Sequence, residues 1–498
     1  MKKNRVSFLV SSLLLSGAFS FANAAGPEYF TSSDQFDVWV YGDQNGLFAA
    51  LYDLPAVSFS GEAINVLVDS NADNLKYVGN TLWILSADSI MVNNLTIKDN
   101  SALLDFEYSL YNGTRDELSL TAIQAQTISQ SVNTLSSDNK NAGNAARVLQ
   151  KLYDTNSDVQ GALNKLGTDK DVARAVDSTT PQTTTSSFTA ATQISNNVSN
   201  IITQRQNVNL NGTGLNSGDD MINEKNVWIK TYGSYGEQNN KDNINGFDIK
   251  TYGLGFGVDG EYATNQKIGL GFFYTNADVD VNNVSQKSDI DVYSLIVYGN
   301  VPVIDDKTNF LYQVGYSWQK TDTNRDIEFV NQTAKADYTS KIASVDLKLV
   351  RDFRVNEEIL LQPYVSTLYR HFETPSYTET GADALNLNVN KFSSSEFVVG
   401  LGTMGYYKID EESRLTGSVG LGYDLRDDNN IVSSSYQGAS GLSFDTEGID
   451  NGRWSYDVGV GYENDLSKLS NVSLNYNLQG QGEDYLNHVV SLKYTYKF

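Results

Sequence analysis

The chain ends on a strict alternation. From Val490 to Phe498 every second side chain is apolar (Val490, Leu492, Tyr494, Tyr496, Phe498), with Ser491, Lys493, Thr495 and Lys497 between them. Successive side chains of a strand point to opposite faces, so the pattern predicts a strand with one apolar and one polar face. The same signature recurs upstream. In "LTGSVGLGYDL" Leu415, Val419, Leu421, Tyr423 and Leu425 alternate with Thr416, Ser418, Gly420, Gly422 and Asp424. In "YGLGFGVD" Tyr252, Leu254, Phe256 and Val258 alternate with three glycines and Asp259.

Twelve strands are predicted, near 226–237, 249–263, 266–281, 288–300, 307–322, 337–353, 358–372, 391–409, 413–426, 452–464, 469–480 and 485–498. Most exceed the roughly 5–6 residues of a soluble strand and suit tilted strands crossing a bilayer, which need about 9–11 each. Aromatic residues gather at their ends, as a girdle at the membrane surface requires. The connections sort by length. Tight turns fall near 264–265, 301–306, 354–357, 411–412 and 465–468, whereas 238–248, 323–336, 373–390 and 427–451 are longer. Outer-membrane barrels have short periplasmic turns and longer external loops, and an even strand count puts both barrel ends on the periplasmic side. Glycines and small polar residues on the inner face leave room for a lumen.

Upstream of the barrel the period changes. "NAARVLQKLYD" sets Ala145, Val148, Leu149 and Leu152 on one side of a predicted helix. "STTPQTTTSS" (178–187) is a breaker followed by candidate N-caps. A second helix is predicted from Phe188 to Arg205, with Phe188, Ala191, Ile194, Val198, Ile201 and Ile202 as a narrow apolar stripe amid polar residues. Eighteen helical residues span about 27 Å, close to the roughly 25 Å apolar height of a barrel wall. That length fits a plug for a wet pore and equally a periplasmic helix packed on its neighbours. Further upstream, "INVLV", "TLWIL", "SIMV", "NLTI" and "ALLDF" read as short strands without a fixed period, so solenoid rungs stay unproved.

Composition narrows the chemistry. A net charge of −24 disfavours nucleic-acid binding. Cysteine is absent, and the two histidines are His371 and His488, so residues 25–185 cannot supply a Ser–His–Asp triad or a His-ligated metal. Asp34, Asp37, Asp43 and Asp53 are not ordered into a glycosidase pair. "DSNADN" (69–74) resembles the start of a calcium loop but lacks the Gly and Glu that should follow. No cofactor is expected, and no enzymatic activity. The N-terminus has a basic stretch (Lys2, Lys3, Arg5), an apolar run from Phe8 to Phe19 and the A-x-A site Ala22-Asn23-Ala24. This predicts a secretory signal peptide over 1–24, cut between Ala24 and Ala25.

Signal peptide, helix, "SGDD" (217–220), "VWIKTYGSYGEQ…GFDIKTYGLGFGVDGEY" and an aromatic at Phe498 together resemble the translocator domain of the autotransporters, the type V secretion family. The resemblance covers about residues 186–498. It implies a mainly all-β protein whose C-terminal 12-stranded antiparallel transmembrane β-barrel is threaded by an α-helix linked to an exported passenger. "LLDFEYSLYNGTRDELSLTA" (103–122) more loosely resembles the closing segment of β-solenoid passengers. The expected organisation is a short β-rich, solenoid-like passenger over 25–122, a helical linker over 123–185, a pore helix with connector over 186–225 and the barrel over 226–498.

Several residue roles follow from the resemblance. Tyr494, Tyr496 and Phe498 would be read by the barrel-assembly machinery, with periplasmic chaperones and outer-membrane lipid as further partners. Phe188, Ile194, Val198, Ile201 and Arg205 belong to the pore helix. Some members of the family cut an Asn–Asn bond inside the pore, using the Asn side chain and lumen carboxylates, and Asn196–Asn197 is such a pair; the family motif around it is not matched. The expected function is display or release of an adhesive or structural passenger at the cell surface. The competing reading is a channel-forming outer-membrane barrel with a periplasmic N-terminal domain.

Overall fold

The computed structural model of the protein describes residues 28–43, 46–68, 78–135, 139–210, 223–426 and 430–498. The signal peptide with Ala22, Ala24 and Ala25, the "DSNADN" segment and "SGDD" lie outside the described residues. Two compact units divide between Thr179 and Thr180, and the first also takes in Ile327–Gln332 and Gly438–Leu442.

The first unit begins with short strands: β1 (Glu28–Phe30), β2 (Phe36–Asp43), β3 (Gly46–Ala49), β4 (Tyr52–Leu54), β5 (Val57–Ser60) and β6 (Ile64–Val68). It continues with β7 (Thr81–Ala87), β8 (Ile90–Asn93), β9 (Ile97–Asp99), β10 (Leu104–Asn112) and β11 (Asp116–Gln124). These stack as a β-solenoid. β1, β5 and β8 are parallel neighbours on one face, and β2, β6 and β9 on a second. β4 and β7 form the third. Glu28 lies beside Val57, 29 residues on, and Val57 beside Ile90, 33 on. Unequal coils explain why the sequence shows no period. Phe30 and Phe59 stack with ring centroids 5.4 Å apart, and Phe36 meets both edge-on. The hairpin β10–β11 closes the stack by laying β11 antiparallel on β7, which covers one edge that would otherwise offer unpaired amides.

Four helices follow: α1 (Ile128–Leu135), α2 (Lys140–Thr155), α3 (Ser157–Asn164) and α4 (Asp169–Ser178). Asn139, Asn156 and Thr168 cap the last three by accepting from backbone N–H groups. Ala145, Val148, Leu149 and Leu152 are buried on one side of α2, as their spacing predicts.

The second unit opens with α5 (Gln182–Leu210) and twelve long strands joined to shorter ones at the loops. In order these are β12 (Asn223–Gln238), β13 (Phe247–Ala263), β14 (Gln266–Val281), β15 (Gln286–Pro302), β16 (Thr308–Ile327) and β17 (Gln332–Arg351). Then come β18 (Phe353–Arg354), β19 (Ile359–Thr374), β20 (Tyr377–Thr378), β21 (Leu387–Val389), β22 (Phe392–Lys408) and β23 (Ser413–Asp424). Last are β24 (Ile431–Tyr436), β25 (Phe444–Glu447), β26 (Trp454–Ser467), β27 (Ser470–Gln481) and β28 (Tyr485–Lys497). The twelve long strands pair antiparallel around a ring that closes between β12 and β28, where Val227 faces Tyr496 and Gln238 faces Tyr485. β20, β21, β24 and β25 make a small separate sheet from the two longest loops.

The faces are inverted relative to a soluble sheet. Leu492 is 50% exposed while its neighbour Lys493 is 1% exposed. Val490, Tyr494 and Tyr496 are outward likewise, and Ser491 and Thr495 are enclosed. Apolar side chains outside and polar ones inside are what lipid demands of a closed wall. No described helix is long and apolar enough to cross a membrane.

Two expectations change. The segment 323–336 is mostly strand: β16 and β17 continue to a tip at Glu328–Val330, with Asn331 taking the left-handed turn at φ 53°. Long strands carry the hairpin beyond the apolar band, so polar sequence there is extended ladder instead of loop. The helix expected from Phe188 begins at Gln182, after Pro181, and runs to Leu210. Thr185 and Ser186 donate to the Gln182 carbonyl, and Ser187 to that of Thr183. Their hydroxyls bond back within the helix instead of capping it, which suits buried positions that have no water to bond.

Asp177 on α4 is partly buried, and burial pushes its pKa up from 3.8 to about 6 against a hydrogen bond from Asn139. Between about pH 4 and 6 the folded unit retains a proton that the unfolded chain releases. Stability therefore falls as pH rises through that window, and the penalty is complete above it. Asp177→Asn should raise local stability by about 1–2 kcal/mol at pH 7.5 and leave it unchanged at pH 3.5, read from hydrogen exchange of α2 and α4 amides.

Candidate functional site

The lumen is the one place where the barrel's polar face, the helix and enclosed space meet. The 29 residues of α5 extend about 43 Å, longer than the apolar wall. Its N-terminal end lies among the long loops. Gln182 accepts from Asn245, and Thr184 shares a 2.5 Å hydrogen bond with Tyr377. Its C-terminal half lies toward the short turns, where Gln206 donates to the Gly299 and Tyr312 carbonyls at 2.7 and 3.1 Å. The helix therefore threads the barrel from the long-loop end to the short-turn end.

Its two sides meet different surroundings. Ala190, Ile194, Val198, Ile201 and Ile202 pack against Trp228, Tyr232, Phe273, Val292, Ile296 and Tyr298 of β12–β15. Phe188 meets the edge of Phe372, ring centroids 5.3 Å apart. The inner glycines of β13 do not open the lumen here. A Cβ at Gly253 would lie 2.1 Å from the Tyr232 ring and one at Gly257 2.4 Å from Trp228, so these glycines let large rings lie flat on the wall. Across the barrel the expectation of space holds. A cavity of about 170 Å³ lies beside Asn196, Ser199 and Asn200, bounded by Asp346, Lys348, Tyr364 and Asp457 with Gly400 and Gly422 in its wall. A smaller one of about 60 Å³ continues past Thr203 and Gln204. The flank toward β12–β15 is closely packed around an apolar stripe, and the opposite flank meets polar groups and open space.

Charged contacts fix its position along the axis. Arg205 binds Asp259 through two hydrogen bonds of 2.7 and 2.8 Å, with both side chains enclosed. Asp259 also accepts from Tyr298 at 2.8 Å and Asn226 at 3.0 Å, and Trp228 donates to the Tyr298 hydroxyl. A buried, bidentate and further hydrogen-bonded pair satisfies both charges. Higher up, Arg370 donates to Ser195 and Asn196 and pairs with Glu396. Ser199 donates to Asp346, Lys348 donates to Thr203, and Lys230 donates to Gln204.

The sequence-derived residues are thus distributed. Phe188, Ile194, Val198, Ile201 and Arg205 all lie within the lumen. Asn196 faces Arg370 and the larger cavity, while Asn197 is buried with Ser234 and Asn487. Tyr494, Tyr496 and Phe498 point outward, and the Phe498 N–H donates to the Lys225 carbonyl. In the first unit Asp37 accepts from Asn65, Asp34 from Thr31, and Asp53 pairs with Arg115. The side chain of Asp43 lies outside the described residues. The residue pattern placed Asp259 on the polar face of its strand without a role and did not bring out Asp346, Arg370 or Glu396. All four sit at inward positions of strands, so a charge at a lumen-facing register was the signal available.

A closed twelve-stranded wall, apolar outside and threaded by a polar helix, defines an outer-membrane β-barrel of the translocator type. Over residues 227–477, half of its length, the chain matches the family described as the autotransporter beta-domain. It belongs to the autotransporter family, and its barrel is an outer-membrane domain. The solved translocator domain of the autotransporter NalP from Neisseria meningitidis has the same fold, with a TM-score of 0.50 at 14% identity, covering 62% of this chain and 98% of that one. An extracellular serine protease of Serratia marcescens is 26% identical over 189 residues, 37% of this chain and 17% of that protein. Outer membrane protein A of Rickettsia conorii is 26% identical over 350 residues, 64% of this chain and again 17% of that protein. The chain thus matches about a sixth of the length of either relative.

The Arg205–Asp259 pair gives a direct test. Arg205→Ala strands a buried carboxylate and should destabilise the folded barrel by about 3–5 kcal/mol. The double change Arg205→Met/Asp259→Leu should recover most of that loss. Thermal unfolding followed by heat-dependent gel migration reads both.

Proposed function

We propose that this protein carries its N-terminal solenoid and helical region through the outer membrane by way of its own barrel and holds it at the cell surface, as an adhesive or structural passenger. The observation that carries this reading is the direction of α5. Its N-terminal end lies among the long loops, so the chain before Thr180 continues from that end. A channel with a periplasmic N-terminal domain needs the opposite direction. Barrel-assembly machinery, periplasmic chaperones and outer-membrane lipid are the partners this route implies. The outward aromatic row of Tyr494, Tyr496 and Phe498 is the segment offered to the first of them.

Within this reading Asn196–Asn197 is the bond at which a passenger would be released. The Asn196 side-chain nitrogen would attack its own main-chain carbonyl carbon, breaking the peptide bond and leaving Asn197 with a new amine. The cavity beside Asn196, with Asp346 and Asp457 in its wall, supplies room and carboxylates for the proton transfers. The lumen also supports the helix at both sides of that bond, so display without cleavage is the alternative outcome for the same barrel.

An epitope tag near residue 60 should be labelled on intact cells and removed by added protease; a tag that stays protected overturns the surface reading. Separately, culture or surface extracts should contain a fragment ending at Asn196 that disappears in Asn196→Asp. If native cells yield full-length protein alone, the cleavage reading is wrong while the display reading stands.

A further inference from the structure

The outward face above the aromatic girdle carries opposite charges on different arcs of the barrel. On β13–β16 the register places Lys250 beside Asp278, Asp278 beside Asp289 and Asp289 beside Asp322. On β17 and β19, and at Lys391 just before β22, the corresponding groups are two lysines and a histidine gathered around a single carboxylate. Lys341 lies opposite Glu373, His371 opposite Ser395, and Lys391 pairs with Glu373 at 2.9 Å. The Glu373 carboxylate lies within electrostatic reach of Lys341, His371 and Lys391 together. Lys341 and Lys391 are exposed, and the His371 ring is held by a 2.8 Å hydrogen bond between its Nδ1 and the Ser395 hydroxyl.

Height fixes what this patch meets. Tyr369 and Phe397 are direct cross-strand neighbours on the outside and half-exposed; Ile359 and Tyr407 are the matching pair at the short-turn end. Ten strand residues at the usual tilt separate the pairs by about 25 Å, the height of the apolar band. His371 and Glu373 lie one and two outward positions above Tyr369. They therefore sit at headgroup level on the long-loop side, where the chain faces the outer leaflet.

We propose that Lys341, His371 and Lys391, above the Tyr369–Phe397 pair, form a docking site for a phosphorylated glycolipid headgroup of the outer leaflet. Charge complementarity selects the occupant. The protein carries a net charge of −24, and here two lysines and a histidine surround one carboxylate, so this cluster offers an anionic headgroup cations that the Asp278–Asp289–Asp322 row does not. The Ser393 hydroxyl, opposite Glu373, adds a donor at the same level. The aromatic pair below offers a platform at the boundary between sugar and acyl chain. The patch is continuous with the lipid-facing wall, so a bound lipid enters it from the bilayer without crossing a polar barrier.

The test uses the full-length protein folded in detergent micelles and incubated with bis-phosphorylated lipid A or its dephosphorylated form, with retained lipid read by native mass spectrometry. The native protein should prefer the phosphorylated lipid. Lys341→Gln/Lys391→Gln should reduce its retention about 25-fold, from roughly fivefold per cation, and Glu373→Gln should strengthen it. Lys250→Gln/Lys287→Gln on the acidic arc should leave retention unchanged, with heat-dependent gel migration confirming a folded barrel throughout. Equal retention of both lipids overturns the proposal, as does undiminished retention in the Lys341/Lys391 variant. A variant that alters cross-linked dimer yield while retaining lipid normally assigns the patch to a second copy of the chain, which also overturns it.

Discussion

Hydrocarbon gives a backbone amide nothing to bond with, and every other feature of the barrel follows from that lack. The wall has to be a sheet without edges, so β28 returns to β12 in full register. A closed sheet facing lipid must turn its apolar side chains outward, which leaves Lys493, Thr495 and Ser491 enclosed. Those polar groups in turn need partners. Side chains of α5 supply partners for other inward polar groups, Gln193 for Asn487 near the loops and Arg205 for Asp259 near the turns. A mostly polar helix that would be a poor core element in a soluble protein is well matched to this interior.

Much of the wall could be read from residue order, because a period of two survives in each strand whatever its neighbours are. Tyr252 to Val258 and Trp454 to Tyr462 are examples where the apolar set names the lipid face directly. Other parts resisted for physical reasons. The β16–β17 tip lacks an apolar face because it stands above the bilayer, so its residues looked like loop. The solenoid coils differ in length by four residues between Glu28–Val57 and Val57–Ile90, which erases the repeat. Thr185, Ser186 and Ser187 look like caps because hydroxyls usually compete with helix; enclosed, they instead bond the helix's own carbonyls. Arg205 could be placed on the pore helix from the resemblance. Its pairing with Asp259 was not, since it depends on where along the axis the helix comes to rest.

The two flanks of α5 divide labour. Against β12–β15 the contact is packed and apolar, with Trp228, Phe273 and Tyr298 fitted over glycines, and this side sets rotation. Against β17–β27 the contact is made through side-chain hydrogen bonds interspersed with cavities, and Arg370, Lys348 and Ser199 on this side share the axial placement with the Arg205–Asp259 pair on β13. Orientation by packing and placement by hydrogen bonds leave the neighbourhood of Asn196 roomy without loosening the helix as a whole.

The hairpin β10–β11 has a consequence for ancestry. Because it terminates the stack antiparallel, on the side nearest α1 in the chain, a coil cannot be added there without rebuilding the terminus. Duplication of a coil among β1–β9 would instead lengthen the stack while preserving both the hairpin and every residue after it. The length of the solenoid is thereby uncoupled from the membrane domain, and a lineage can lengthen or shorten it while the barrel stays constant.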